Sequence, residues 1–220
     1  MTNPVTITVT GHGERSVAPN RCVVRVSIEF DGSSRAEAAD AATSSAAALT
    51  DAIRGVEHDL SRWSLDRVQH SRYRPYHPEG ERLPWNYRST ATGAVTVRNL
   101  DAVAAIVDRL AGIEGVDVTG IGWSLTRKRH AKVVARVRDL AVQDALAKAH
   151  GYADSLGFEN VTAVALADPG LLDGHRPDAG MPVMRSMAAS GPAHGDRPTV
   201  ELVPEKLRIT ADVEARFEAR

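Results

Sequence analysis

Three stretches of this chain alternate apolar and polar residues with a period of two, and that pattern limits the folds open to it more than any other feature. In "VTITV", Val5, Ile7 and Val9 fall on one face and Thr6 and Thr8 on the other. In "RCVVRVSIEF", Cys22, Val24, Val26, Ile28 and Phe30 alternate with Arg21, Val23, Arg25, Ser27 and Glu29. Near the C-terminus, Leu207, Ile209, Ala211, Val213, Ala215 and Phe217 alternate with Arg208, Thr210, Asp212, Glu214 and Arg216. Successive side chains of a strand point to opposite faces. Each segment therefore has one side to bury and one to leave wet, as in an antiparallel sheet covered on one side.

Helical spacing replaces this pattern in three places. Ser34 followed by Glu37 has the form of a capping box, and an Ala-rich run leads to Leu49 and Ile53 before Gly55. Asn99 is placed to cap a second helix, with Val103, Ile106, Val107 and Leu110 on its apolar side and Gly112 at its end. The third and longest is expected from about Lys128 to Leu156. Its stripe is Val133, Val137, Leu140, Ala141, Leu146, Ala149, Tyr152 and Leu156, and Gly157 suits the position after the last turn. Further strands are expected around 63–76, 90–98, 116–125 and 160–167, with a bulge where alternation fails after Leu65. The order is β-β-α-β-β-α-β-α-β-loop-β. It implies an α+β fold, with a mixed, largely antiparallel sheet and three helices packed mainly on one face. The chain reads as one domain over 1–220, with a mobile Gly/Pro-rich loop at 169–198.

Composition narrows the function classes. A formal net charge of -1 gives no overall pull toward nucleic acid or membrane. One cysteine rules out an internal disulfide framework and fits a reducing compartment. "MTNPVTITVT" has neither a basic n-region nor an apolar h-region, and no window reaches a membrane span, so a cytoplasmic protein without membrane insertion is expected. Catalytic signatures are missing too. The eight histidines are scattered without metal-ligand spacing, Cys22 lies on the apolar face of a strand, and no Gly-x-Ser-x-Gly elbow frames a serine. The expectation is a non-enzyme with no metal and no cofactor.

Gly11-His12-Gly13 raises the question of a phosphate cradle. A dinucleotide fingerprint would place a third glycine at Ser16 and a helix after it, but another strand follows, so there is no helix N-terminus to hold phosphate. The two glycines are expected to allow a bend or bulge before the turn at Ala18-Pro19-Asn20. With the strand after it, the run "TVTGHGERSVAPNRCVVRVSIEF" resembles the opening of the SIMPL-domain family, a domain of unknown function (DUF541). The likeness continues through the Ala-rich first helix, "YRSTATGAVTVRNLDAVAAIVDRL", "GVDVTGIGWSL", the third helix and "LVPEKLRITADVEARFE". Asn20 stands where the family usually has Asp. The resemblance implies a mixed α/β fold that is often oligomeric and frequently exported. It brings no catalytic residues.

Two stretches could carry binding. In "TRKRHAKVVARVRD", Arg127, Lys128, Arg129, Lys132, Arg136 and Arg138 place six positive charges before Asp139. Cations in a first helical turn oppose the helix dipole, so either an anionic partner meets Arg127, Lys128, Arg129 and Lys132 or these side chains form a solvated face. In "RWSLDRVQHSRYRPYHPEGERLPWNYR", arginines interleave with aromatics, a composition suited to a subunit contact through Tyr73, Tyr76, Trp85 and Tyr87 or to single-stranded nucleic acid. The leading expectation is a homo-oligomer that also meets an acidic protein or nucleic acid. The alternatives are a nucleic-acid-binding protein using the basic stretches 127–138 and 62–88, and an unrecognised hydrolase.

Overall fold

The computed structural model describes residues 3–78, 80, 82–172 and 202–220. The expected loop lies outside the described residues from position 173 onward. The elements are β1 (Val5–Val17), β2 (Arg21–Gly32), α1 (Arg35–Arg54), β3 (Leu60–Tyr73), β4 (Asn86–Val97), α2 (Val103–Ala111), β5 (Val116–Ser124), α3 (Arg127–Ser155), β6 (Val161–Ala167) and β7 (Leu207–Ala219). The α+β class and the order of elements are those the sequence implies. Two antiparallel sheets take the place of one mixed sheet, in the orders β1-β7-β6 and β3-β4-β2-β5. The reason lies in the edges of β2. Both are occupied, one by β4 and one by β5, so β1 has no place beside its neighbour in sequence and pairs with β7 instead. The described residues form two compact units, one built on each sheet.

In the unit of β2, β3, β4 and β5, the apolar face predicted for β2 is the core. Cys22, Val24, Val26 and Ile28 are buried together with Leu49 and Ile53 of α1 and Val103, Ile106 and Leu110 of α2. Ser34 caps α1, its Oγ accepting from the Glu37 amide at 3.1 Å. The reciprocal bond goes one residue further back than a capping box requires, since the Glu37 carboxylate accepts from the Ser33 amide and hydroxyl at 2.9 and 2.7 Å. Asn99 does not cap α2. Its amide donates to Asp59 Oδ1 at 2.8 Å, and a short 3-10 turn separates it from the helix. β3 carries the expected irregularity between Leu65 and Arg67 and a second between Leu60 and Arg62.

In the unit of β1, β6 and β7, α3 lies on the apolar face of the sheet, and its stripe differs from the expected one. Val137, Ala141, Ala145, Ala149 and Ala153 are buried at strict four-residue spacing, whereas Leu146, Tyr152 and Leu156 are 40%, 56% and 60% exposed. Small residues win the buried face because the backbones approach closely. A Cβ at Gly11 would collide with the Ala141 carbonyl oxygen, and one at Gly13 with the Val137 carbonyl oxygen. Both glycines sit in unbroken register with β7, opposite Val213 and Ala211. They mark a helix-strand contact, and the expected bend is absent there. Gly157 ends the helix region with φ 79°, as its position implied.

The outer edge of β1 is also occupied. Asp144 Oδ2 accepts from the His12 amide at 2.8 Å, and Lys148 Nζ donates to the Thr10 carbonyl at 2.9 Å. The two α3 side chains are themselves paired at 2.7 Å.

Candidate functional site

The most elaborate polar arrangement among the described residues lies where β3 and β4 run out toward residues 74–85. β4 pairs with β2 so that Arg88 stands directly opposite Asp31. The guanidinium forks onto that carboxylate, with Nε donating to Oδ1 at 2.7 Å and Nη2 to Oδ2 at 2.8 Å, while Nη1 lies 2.9 Å from Glu29 Oε1. Tyr73 adds its hydroxyl, which donates to Asp31 Oδ2 at 2.8 Å and accepts from Asn86 at 3.2 Å. Its ring lies 4.9 Å below the Arg88 cation. The charge-assisted bond from Arg88 holds the Asp31 carboxyl below its usual range, and the same bond raises the Arg88 pKa. Beyond this base, two cations lie over Trp85, Arg72 at 4.5 Å and Arg74 at 4.1 Å from its ring centre.

Of the aromatics expected at a subunit contact, Tyr73 and Trp85 thus have partners within the chain, and Tyr87 pairs with Arg72 and Gly32 in the sheet. Tyr76 is 88% exposed. The four cations expected to meet a partner, Arg127, Lys128, Arg129 and Lys132, are all exposed in the first turns of α3 and make no ion pair among the described residues. Further along, Arg136 lies 3.8 Å from Asp139. The two groups occupy different units.

Other reactive side chains have structural partners. Cys22 is fully buried, and burial pushes its thiol up to about 11. His12 Nδ1 is 2.7 Å from Asp212 Oδ1, its register partner on β7. No group of three or more metal-ligating side chains occurs among the described residues. Among the described residues, no helix is long and apolar enough to cross a membrane.

The family model for SIMPL, described as a protein of unknown function (DUF541), matches residues 7–217. The chain belongs to the SIMPL family. No curated protein matches it. The match runs through both units of this SIMPL chain and confirms the resemblance read from the order of its motifs. Being of unknown function, the family assigns no role to any side chain here. Arg88 falls among the interleaved arginines of 62–88, but nothing in the sequence of this SIMPL protein marks Asp31 and Glu29 as its partners. Their signal is register: Asp31 and Arg88 are 57 residues apart, and only the β2–β4 pairing makes them neighbours.

Proposed function

We propose that this SIMPL protein is a non-catalytic binding protein that assembles with itself through the arm at the end of β3 and β4. The observation that carries this reading is Tyr76. The last ladder pair is Tyr73 with Asn86, and beyond it the chain extends for twelve residues, 74–85, before β4. The Arg72–Trp85–Arg74 stack organises that extension, yet it leaves Tyr76 almost wholly in water. A large aromatic on an organised projection gains about 1.5–3 kcal/mol on burial, and a second copy offers that burial in a closed, symmetric assembly. The buried, raised-pKa thiol of Cys22 supports the non-catalytic part, because the thiolate is the nucleophile.

Sedimentation velocity tests the assembly. Tyr76→Ser is the variant of choice, since it leaves the stack around Trp85 intact. The variant is expected to sediment as a smaller species than the wild type at tens of micromolar. A wild type that is already monomeric, or an unchanged distribution for Tyr76→Ser, overturns the proposal.

A second reading rests on Arg127, Lys128, Arg129 and Lys132, which place four cations in two helical turns with no carboxylate partner among the described residues. An acidic protein surface or nucleic acid would relieve their conflict with the helix dipole. Fluorescence anisotropy with single-stranded RNA across a salt series distinguishes the two, as only the nucleic acid gives steeply salt-dependent binding that Arg127→Gln/Lys128→Gln/Arg129→Gln flattens.

A further inference from the structure

A cleft of about 420 Å³ opens at one end of the β3-β4-β2-β5 sheet, lined by Arg35, His70, Ser71, Arg72 and Tyr87. Its construction follows from one row across three strands. Gly32 of β2 pairs with Tyr87 of β4, and Tyr87 pairs with Arg72 of β3. At Gly32 the first turn of α1 comes so close that a Cβ there would lie 3.0 Å from the Ala38 amide nitrogen and 3.2 Å from the Glu37 side chain. Glycine at this position therefore lets α1 begin directly beside the row, which brings Arg35, its first residue, to the cleft. Two pairs further along, and so on the same face of the sheet, His70 lies opposite Ser89, whose buried hydroxyl has no hydrogen-bond partner.

The charges in and around this cleft do not cancel. Arg35 and Arg72 make no ion pair among the described residues. The nearby acids are already engaged, Asp31 and Glu29 by Arg88 and the Glu37 carboxylate by the amide and hydroxyl of Ser33. Arg72 is held by a contact that costs it no donor. Its guanidinium lies over the Trp85 ring, which fixes the plane of the group while leaving its N–H groups to bond elsewhere. Arg74 also stacks on Trp85, 4.1 Å from the ring centre, and its pKa is lowered by desolvation and by the like charges of Arg82 and Arg72. An anion arriving beside Arg72 would relieve that repulsion.

We propose that this cleft binds a small phosphorylated ligand, with its phosphate gripped by Arg35 and Arg72 and its remainder lying along Tyr87. The chemistry favours a phosphate monoester over a carboxylate. Two arginines answer a charge near -2, which a phosphate carries at neutral pH and a single carboxylate does not. The walls supply donors in excess, two guanidinium forks with the Tyr87 hydroxyl, and a phosphate presents three strong acceptor oxygens to them. The volume lies within the range of small-molecule pockets, about 300–1,000 Å³. The cleft and the α3 cations belong to different units, and binding here does not depend on self-assembly.

Amide-resolved NMR titration of the full chain tests it, because the spectrum reports binding and folding together. With phenyl phosphate as probe, saturable shifts are expected at residues flanking Arg35, Arg72 and Tyr87, and benzoate is expected to bind at least about tenfold more weakly. Arg35→Gln/Arg72→Gln should weaken phenyl phosphate about tenfold or more, Arg35→Lys/Arg72→Lys should retain part of the affinity, and Arg127→Gln/Lys128→Gln/Arg129→Gln should leave it unchanged. If inorganic phosphate alone binds as tightly as phenyl phosphate, the organic part is not recognised and the assignment to a phosphorylated ligand fails. The proposal is overturned equally by no saturation below about 10 mM, by benzoate of equal affinity, or by an equal loss in the α3 variant.

Discussion

Replacing Gly11 by alanine tests the close approach of α3 to β1. Gly11 lies in extended strand with no positive φ, so alanine is acceptable to the backbone there and only the space forbids it. The new methyl would meet the Ala141 carbonyl oxygen inside contact distance, with Ala145 Cβ at 2.7 Å and Ala145 N at 2.8 Å. Ordinary contact begins at 3.4 Å, so α3 must retreat by at least ~0.7 Å, and further for the carbonyl. Two of these neighbours are backbone atoms and cannot rotate away. The retreat would loosen Ala141, Ala145, Ala149 and Ala153, all of which are fully buried against the sheet. Overpacking typically costs about 1–3 kcal/mol, and the rigid surroundings place Gly11→Ala near the upper end, about 3 kcal/mol. With a urea slope of about 1–3 kcal/mol/M, the midpoint should fall by roughly 1–3 M. Gly151→Ala is the matched control, because it lies within α3 and a Cβ there meets nothing within 4 Å. It should gain about 0.5–1 kcal/mol from helix propensity. If Gly11→Ala unfolds within about 0.5 kcal/mol of the wild type while Gly151→Ala is stabilised, the close approach of α3 to β1 is not what selects glycine.

Asp31→Asn should lower stability at pH 7 by about 1 kcal/mol, allowing for the screening of a partly exposed pair. The Asp31 pKa is depressed in the folded protein, so its contribution is complete above the unfolded value near ~3.9 and is lost as pH falls through the lower folded value. The difference between variant and wild type in urea melts should therefore shrink below about pH 4; a constant difference from pH 7 down to about 2 would remove Arg88 as its source. Cys22 should resist a disulfide reagent at pH 8 and react only in proportion to unfolding, since its thiol is buried and titrates at about 11. Complete labelling of the native protein within minutes would show that the strand opens far more readily than its burial implies.

The parts of this fold legible in the sequence are those set by neighbours within a few residues. The alternation of β2 and β7, the Ser34 cap and the extent of α3 all follow from local spacing, and all are found in place. What was not legible depends on distant partners. Hydrophobicity favours large side chains and so points the α3 stripe toward Leu146 and Leu156. The buried face instead goes to alanines, because Gly11 and Gly13 of β1, well over a hundred residues away in sequence, draw the helix close. Asn99 has the chemistry of a cap, but Asp59 reaches its amide first. The division into two sheets was equally hidden, since β1 finds β7 only because β2 is flanked on both sides. For the candidate site, the arginine and aromatic residues of 62–88 were recognised by type. Their division into a base held by Asp31 and a stack held by Trp85 required the register of three strands.

The ion pair of Asp144 and Lys148 has a bearing on how this protein meets other polypeptides. At Thr10 and His12, the outward amide and carbonyl that an incoming strand would need are already bonded to the carboxylate and the ammonium. A foreign strand approaching β1 would have to displace both bonds and would strand two charges on the helix surface as it did so. Addition at this point is thus opposed by chemistry that hydrophobic attraction cannot easily override. The side chains of α3 act as a lock on the border of the β1-β7-β6 sheet, and a double change to Asp144→Ala/Lys148→Ala would free the His12 amide and the Thr10 carbonyl for an incoming strand while leaving the alanine row beneath the helix untouched.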